Sequence, residues 1–340
     1  MKDNTLTILD EAPQLPKRFA DLELPQDILE HLLQNNLLEL LPVQAAAIPP
    51  ALEGKDLLIQ AQTGSGKTLA YLLPLLVKLR RHQDQIPLDT PFALIMTPTR
   101  ELAQQVAAVC RMVSPDICAV ELIGGVSLKE QGRGLEHDAR VIIGTPGRLL
   151  DCLRRRIISL KSCRLCVLDE VDEMFSMGFF EDVQAILSRL PRRRQGLFVS
   201  ATISPRVMVL AQSFLDKPEN IFVDEAGKDL PPIEHFICRV GGGATDKPEA
   251  LCDLIETRRP RSCIIFCNTK SDTELVEAFL RRRGYDARRL NSDLSQKQRE
   301  QIMDRIRRQD LRFLVATDLA ARGLDIAVSY THLRAHETPE

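Results

Sequence analysis

The residues that could do chemistry start with a glycine-rich run at positions 61–68, which reads AQTGSGKT. A strand-like apolar run, 56–60, precedes it, and a helix-like apolar run, 69–77, follows it. In that setting successive backbone N–H groups can close around a polyphosphate, and the N-terminus of the following helix adds positive potential. Lys67 would reach the terminal phosphates and the Thr68 hydroxyl would coordinate Mg²⁺. The run therefore predicts a nucleoside-triphosphate site. Its candidate ligand-binding residues are Thr63, Gly64, Ser65, Gly66, Lys67 and Thr68.

A second chemical feature is the acidic run DEVD at 169–172, which directly follows the apolar strand-like run 165–168. Asp169 can hold Mg²⁺ through water, and Glu170 can orient and deprotonate the water that attacks a γ-phosphate. An acidic quartet on its own is typical of a solvated turn. The strand before it and the phosphate loop roughly 100 residues upstream favour a catalytic pair instead.

The elements that must position these residues are strand-like apolar runs, which alternate with segments that have helical periodicity. This alternation predicts an α/β fold with parallel sheets. Ligands of such folds gather at the carboxyl ends of the strands. A polar stretch, 224–232, divides the runs and predicts an interdomain linker between a domain over 1–223 and a second domain that begins at 233. The strand-like runs are 92–96, 120–123, 140–143, 165–168 and 196–199, then 235–240, 262–267, 287–290 and 312–316.

Composition indicates a globular protein with two sizeable cores. The chain has 340 residues, of which 44% are hydrophobic and 27% charged, and a net charge of −2. No apolar run reaches the roughly 18 residues of a membrane span, and the first residues lack the pattern of a signal peptide. Nine cysteines, an odd number, indicate reduced thiols, so we interpret Cys163, Cys166, Cys263 and Cys267 as buried residues rather than metal ligands. We therefore expect a cytoplasmic location and no membrane partner.

Further motifs occur in a fixed order along residues 19–326, and together they identify a family resemblance. The chain resembles the DEAD-box ATP-dependent RNA helicases, with DEVD as a variant of the motif that names them. Any one motif could arise by chance, but the ordered set could not plausibly do so. Besides the phosphate loop and DEVD, the motifs are PTRELA at 98–103, GG at 124–125, TPGR at 145–148, SAT at 200–202, IIFCN at 264–268, QxxR at 296–299 and TDLAARGLD at 317–325.

The resemblance implies two RecA-like parallel-sheet domains in tandem, the second incomplete, that close over ATP and RNA. It implies ATP and Mg²⁺ as cofactors and single-stranded or duplex RNA as the partner. Short side-chain donors, backbone N–H groups and arginines suit phosphate and sugar contacts. Because aromatic residues make up only 4% of the chain and Trp is missing, RNA recognition should be directed at the backbone rather than at stacked bases.

The resemblance also assigns roles to residues at matching motif positions. Phe19 and Gln44 would recognise adenine, and Asp172 would pair with Ser200 and Thr202 to couple hydrolysis to domain movement. The implied catalytic residues are Lys67, Asp169, Glu170, Ser200 and Thr202, with Thr68 and Asp169 as Mg²⁺ ligands and Asp325 as a further nucleotide-binding residue. The implied RNA-binding residues are Thr99, Arg100, Gly125, Thr145, Arg148, Arg299, Thr317 and Arg322.

The chain departs from the family pattern in four places. Ala61 replaces the usual first glycine of the phosphate loop, and Val171 replaces alanine inside the acidic motif. Around Gln44, the family tends to have Gly, Pro and Thr where this chain has Asn36, Leu40 and Leu41. After 326 the family continues to a motif close to HRIGRTGR, whereas this chain reads AVSYTHLRAHETPE, which resembles a translated sequencing adapter. We expect 233–326 to be a truncated domain and 327–340 a non-native tail.

The missing motif leads to a prediction about turnover. Its arginines would reach the γ-phosphate, and an arginine finger contributes several orders of magnitude to phosphoryl-transfer rate. We expect residues 1–340 to show weak or no RNA-stimulated ATP hydrolysis in a steady-state phosphate-release assay. Robust turnover would contradict this expectation.

Two other functions share part of this pattern. An ATP-dependent RNA clamp without efficient hydrolysis is favoured only if the short tail is genuine, and the intact Glu170 argues against it. A DNA helicase of a related family shares the phosphate loop and acidic motif, but PTRELA, SAT and the RGLD segment argue against it. We expect a monomer, with accessory or ribonucleoprotein partners that the sequence does not identify.

Overall fold

The structure is a computed structural model, and it describes residues 15–62, 64–82, 90–135, 139–223, 234, 236–241, 246–317 and 331–334. The chain divides into two compact units, Met1–Asp224 and Glu225–Glu340. The division falls inside the polar stretch 224–232, although the predicted linker itself lies outside the described residues. None of the described helices is long and apolar enough to cross a membrane.

The first unit is built on a seven-stranded parallel sheet with the strand order β3-β4-β2-β5-β6-β1-β7. Four-residue apolar runs form the central strands because both faces of a parallel sheet are covered by helices. The strands are β1 Leu57–Gln60, β2 Ala93–Met96, β3 Ala119–Leu122, β4 Val141–Gly144, β5 Leu165–Leu168, β6 Gln195–Ser200 and β7 Glu219–Phe222.

Nine described helices cover the faces of this sheet and form one hydrophobic cluster on each side. Leu57 and Ile59 of β1 point into one cluster, while Leu58 points into the other, as the alternation of a strand requires. The helices are α1 Gln26–Gln34, α2 Pro42–Glu53, α3 Lys67–His82, α4 Arg100–Val113, α5 Leu128–Leu135, α6 Pro146–Arg154, α7 Val171–Ser176, α8 Phe180–Leu187 and α9 Pro205–Phe214.

The strand order brings the chemical motifs together at one edge of the sheet. β6 lies between β1 and β5, so the carboxyl ends of these three strands are neighbours. Gln60 at the end of β1 is in register with Ser200 at the end of β6. The phosphate loop, the acidic run and the SAT motif follow those three ends directly. The prediction of an α/β fold with parallel sheets is confirmed.

The second unit has a four-stranded parallel sheet with the order β11-β8-β10-β9. The predicted strand over 235–240 is wrong for its described part, because 236–241 form no strand and Phe236 and Ile237 are 63% and 94% exposed. The strands are β8 Cys263–Cys267, β9 Ala287–Leu290, β10 Phe313–Thr317 and β11 Thr331–Arg334. The helices are α10 Asp246–Arg258, α11 Lys270–Arg282 and α12 Gln296–Arg307.

β11 is the only described part of the segment expected to be a non-native tail. It pairs in parallel with β8, with Thr331 opposite Cys263. The rest of 327–340 lies outside the described residues, and the origin of this segment stays a prediction.

The four cysteines that we interpret as buried residues are buried in the structure. Cys163, Cys166, Cys263 and Cys267 are buried free thiols. Burial raises the pKa of Cys163 to about 12, so this thiol stays protonated and unreactive at neutral pH. Within the described ranges, no group of three His, Cys, Asp or Glu residues could hold a metal ion.

Arg80 ties three elements of the first unit together. Its guanidinium Nη2 lies 2.6 Å from Asp27 Oδ2 on α1 and 2.9 Å from Asp116 Oδ1 in the turn after α4. The same nitrogen donates to Ser114 Oγ at 2.7 Å. The arginine side chain is only 23% exposed, so these bonds are partly shielded from water.

We predict that Arg80→Ala lowers the free energy of unfolding by about 2 kcal/mol, because it removes the donor from two carboxylates and from the buried Ser114 hydroxyl. Urea denaturation followed by circular dichroism measures this change. Arg81→Ala, at the next residue of α3, is the matched control and should change stability by less than about 0.5 kcal/mol. Equal effects of the two variants would show that Arg80 has no special role.

Candidate functional site

The phosphate loop connects β1 to α3. Its last glycine, Gly66, has a φ of +83°, and a Cβ there would lie 2.5 Å from Gln44 Nε2 and 2.6 Å from Leu41 Cδ1. Only glycine fits this position without strain. Ser65 Oγ donates to Gln62 O at 2.7 Å and closes the turn. Thr63 lies outside the described residues.

Two buried polar atoms beside this loop have no hydrogen-bond partner within the described part of the chain. They are Lys67 Nζ, at the first residue of α3, and Asp169 Oδ1, directly after β5. Lys67 is 7% exposed and Asp169 is 2% exposed. Because a buried charged atom without a partner is costly, these two atoms are candidates for contacts with a ligand. An ammonium and a carboxylate oxygen fit a phosphate and a cation, so the residues present suit Mg²⁺-nucleotide.

Asp169 is held by a tyrosine that sequence reasoning missed. Tyr71 Oη donates to Asp169 Oδ2 at 2.8 Å, and Tyr71 is fully buried. Burial raises the pKa of Asp169, while the charge of Lys67 and the tyrosine hydrogen bond oppose that rise. Burial and the neighbouring Asp169 raise the pKa of Tyr71 well above its usual value, so its hydroxyl remains a donor. The signal in the sequence was the spacing of four residues from Lys67, which places both side chains on one face of α3.

Glu170 has the properties of a general base near neutral pH. Its backbone is left-handed, with a φ of +53°, at the junction between β5 and α7. Burial, and then the adjacent charge of Asp169, raise the pKa of Glu170 to about 7. A catalytic base works best when its pKa lies near the operating pH. The geometry therefore suits Glu170 to accept a proton from water.

The acidic run and the SAT turn are joined by three short hydrogen bonds. Asp172 Oδ2 accepts from Thr202 N at 2.9 Å and from Thr202 Oγ1 at 2.8 Å. Ser200 Oγ accepts from Asp172 N at 3.3 Å and donates to Thr202 O at 2.8 Å. The structure thus contains the pairing of Asp172 with Ser200 and Thr202 that the resemblance implies.

The two residues expected to recognise adenine have roles inside the protein. Phe19 is 2% exposed in a short 3-10 turn, Phe19–Asp21, and packs in the core. Gln44 Oε1 accepts from Leu41 N at 2.9 Å, and Gln44 Nε2 donates to Gly66 O at 3.0 Å. Gln44 therefore braces the phosphate loop. Adenine recognition by Phe19 and Gln44 stays a prediction.

The RNA-binding residues expected in the first unit follow β2, β3 and β4, next to the nucleotide site along the same edge. Thr99 is the N-cap of α4 and accepts from Leu102 N at 3.2 Å. Arg100 packs against Gly125, whose φ is +82° and where a Cβ would collide with the guanidinium. Thr145 follows β4 directly and is 9% exposed at the start of α6.

Arg148 is engaged within the protein. Its Nε donates to Ile123 O at 3.0 Å and its Nη2 donates to Val126 O at 2.5 Å. Gln131 Nε2 donates to the same Ile123 carbonyl at 2.8 Å. These bonds flank the two glycines at 124–125, so Arg148 shapes the glycine turn, and a direct RNA contact by its guanidinium stays a prediction.

In the second unit, Arg299 is 8% exposed on α12 and its Nη1 donates to Asn291 O at 2.9 Å. Asn291 in turn donates from Nδ2 to Thr273 Oγ1 at 2.9 Å. Thr317 is the last residue of β10. Arg322 and Asp325 lie outside the described residues, so their expected roles stay predictions.

Comparison with known proteins decides the family. The model of the DEAD/DEAH box helicase domain matches residues 41–210, and that of the helicase conserved C-terminal domain matches residues 246–333. The chain belongs to the DEAD-box RNA helicase family. Its sequence is 38% identical to the ATP-dependent RNA helicase DeaD of Haemophilus influenzae over 91% of this chain and 50% of that protein. It is 36% identical to the DEAD-box ATP-dependent RNA helicase CshA of Streptococcus pneumoniae over 95% of this chain and 60% of that protein.

Solved structures agree with this assignment. A DEAD box protein from the hyperthermophile Methanococcus jannaschii is 30% identical, with a TM-score of 0.57 over 95% of this chain and 86% of that one. A variant of Saccharomyces cerevisiae Dbp5, solved with a Gle1 variant and IP6, is 25% identical, with a TM-score of 0.69 over 95% of this chain and 80% of that one. The fold is that of tandem RecA-like domains. This helicase-family chain spans about half the length of the DeaD relative it matches.

The raised pKa of Glu170 predicts a pH-dependent stability change. Because the folded pKa of about 7 exceeds the ordinary value of 4.5, the group's stabilising contribution is full below pH 4.5 and is lost as the pH rises through 7. Glu170→Gln cannot ionise, so it should be more stable than the wild type by about 2 kcal/mol at pH 8. The difference should shrink towards pH 5.

Urea denaturation of the nucleotide-free chain at the two pH values measures this effect. Glu181→Gln, on the exposed face of α8, is the matched control and should give the same small difference at both. A Glu170→Gln difference that does not vary with pH would contradict the assigned environment.

Proposed function

We propose that this chain is the core of an ATP-dependent RNA helicase, which couples ATP binding and hydrolysis to local opening of RNA duplexes or remodelling of RNA–protein particles. The observation that carries the proposal is the pair of buried, unpartnered atoms, Lys67 Nζ and Asp169 Oδ1, beside the phosphate loop. The names of the DeaD and CshA relatives, both ATP-dependent RNA helicases, support the same function.

In this proposal Lys67 contacts the terminal phosphates of ATP, and the backbone of the loop surrounds them. Thr68 and Asp169 would hold Mg²⁺, which supplies charge neutralisation of the phosphates when bound. Glu170 accepts the proton of the attacking water. Lys67 lies close enough to Asp169 to oppose the rise in its pKa, so the residues form one electrostatic unit.

The hydrogen bonds between Asp172 and Thr202 could couple ATP hydrolysis to movement of the SAT turn. They fix the start of α7, which carries the acidic residues, to the turn after β6. A movement of Glu170 on hydrolysis therefore displaces the SAT turn. The short distances, 2.9 and 2.8 Å, make this connection stiff.

RNA would bind along the ends of β2, β3 and β4, where Thr99, Arg100, Gly125 and Thr145 are clustered by strand order. These residues offer hydroxyls, N–H groups and one guanidinium, which suit phosphates and sugars rather than base edges. Recognition in this proposal is directed at the backbone and does not depend on sequence. We further propose a cytoplasmic monomer that acts with accessory proteins.

An RNA clamp without hydrolysis is the second candidate. It would need the same ATP and RNA sites but no catalytic base. Glu170, with a pKa of about 7 beside Asp169, is what hydrolysis requires and what a clamp could do without. Glu170 therefore supports the hydrolysing enzyme, and the weak turnover that we expect of residues 1–340 does not come from this residue.

We predict that a non-hydrolysable ATP analogue with Mg²⁺ tightens binding of fluorescein-labelled single-stranded RNA at least about 10-fold, and does not do so for DNA of the same sequence. Lys67→Ala should remove this effect, because it removes the cation from the phosphate site. Lys55→Ala, an exposed lysine at the opposite end of β1, is the matched control and should behave as the wild type. Fluorescence anisotropy titrations measure both affinities. The proposal would be contradicted if the analogue tightened DNA binding equally, or if RNA affinity were the same with and without the analogue.

A further inference from the structure

The buried Tyr71 on α3 donates a hydrogen bond to Asp169, one of the two residues expected to bind Mg²⁺. Tyr71 lies one turn after Thr68 and four residues after Lys67, so all three side chains share one side of the helix. Its hydroxyl donates to Asp169 Oδ2 at 2.8 Å. Tyr71 therefore bonds the carboxylate that is expected to hold the ion.

The Tyr71 hydrogen bond makes the two oxygens of the Asp169 carboxylate different. Oδ2 is occupied by Tyr71, whereas Oδ1 has no hydrogen-bond partner within the described residues. A carboxylate without such a bond could rotate about χ2 and present either oxygen, since that torsion is broad. With the bond in place, the carboxylate is held with Oδ1, the oxygen without a partner, as the one most open to a ligand.

Burying the Tyr71 hydroxyl costs free energy unless the hydroxyl has a hydrogen-bond partner. Tyr71 is fully buried in a hydrophobic cluster that also contains Leu72 and Leu75. A phenylalanine would fill nearly the same volume and would need no partner. Asp169 is also fully enclosed, so the bond between them is strong and geometrically fixed.

We propose that Tyr71 is a positioning residue for the magnesium ion, which holds the Asp169 carboxylate so that a single oxygen, Oδ1, is presented to the ion or its water shell. The inference rests on the proposed Mg²⁺-nucleotide site. Partners that orient a metal-binding carboxylate typically change metal affinity 10- to 100-fold when removed. Because Asp169 would act through water, we expect the lower end of that range.

The experiment compares the affinity of a fluorescent ADP analogue in Mg²⁺ and in EDTA for the full chain. The ratio of the two affinities isolates the contribution of the ion. Tyr71→Phe should lower this ratio about 10-fold and leave the affinity in EDTA within about twofold of the wild type. Tyr285→Phe, which removes a hydroxyl near Glu256 in the second unit, is the matched control and should not change the ratio.

A double-mutant cycle with Asp169→Asn tests whether Tyr71 acts through Asp169. In that background, Tyr71→Phe should have no further effect on the ratio. Thermal unfolding in EDTA verifies that each variant folds.

The outcomes separate the two proposals. A wild-type ratio well above one that Tyr71→Phe leaves unchanged would overturn the positioning role and leave the proposed function intact. Equal weakening in Mg²⁺ and in EDTA would show a structural role only, and would also overturn it. A wild type that does not bind the nucleotide at all would overturn both.

Discussion

The burial of Lys67 Nζ and Asp169 Oδ1 without hydrogen-bond partners in the described residues is the constraint on which the rest of the first unit depends. Both residues sit at the carboxyl edge of a parallel sheet, nearly inaccessible to water, and each has an atom without a hydrogen-bond partner in the described chain. Such atoms destabilise a folded protein unless a ligand satisfies them. The site is therefore built at the expense of stability and is completed by what binds to it.

At the amino ends of strands in the same sheet, the side-chain polar atoms of Asp56 and Gln195 all have hydrogen-bond partners. Asp56 Oδ1 accepts from Gly196 N at 2.9 Å, and its Oδ2 accepts from Asp216 N at 2.8 Å. Gln195 Nε2 donates to two carbonyls at the end of α2, and its Oε1 accepts from Lys78 Nζ at 2.5 Å. These bonds anchor the amino ends of the strands.

Much of this arrangement could be predicted from the sequence, because local patterns determine it. The apolar runs before the phosphate loop, DEVD and SAT predicted three strands, and parallel topology placed their ends together. The strand over 235–240 was mispredicted because an apolar run forms a strand only when it pairs with another, and residues 236–240 pair with none of the described strands. Arg148 and Gln44 could not be placed, because their bonds to Ile123 and to Gly66 depend on packing between distant segments. Tyr71 was missed because its partner is 98 residues away and aromatic residues in apolar helices are usually core.

The central claim is that phosphate and magnesium complete the two unpartnered atoms beside the phosphate loop. A crystal structure of the chain with Mg²⁺ and a non-hydrolysable ATP analogue tests it most directly. The account predicts Lys67 Nζ within about 3 Å of a terminal phosphate oxygen. It also predicts Asp169 Oδ1 directed at the ion or its water, with the Tyr71 bond to Oδ2 retained. A nucleotide bound elsewhere, or Lys67 and Asp169 paired with each other while the phosphate loop binds nothing, would contradict it.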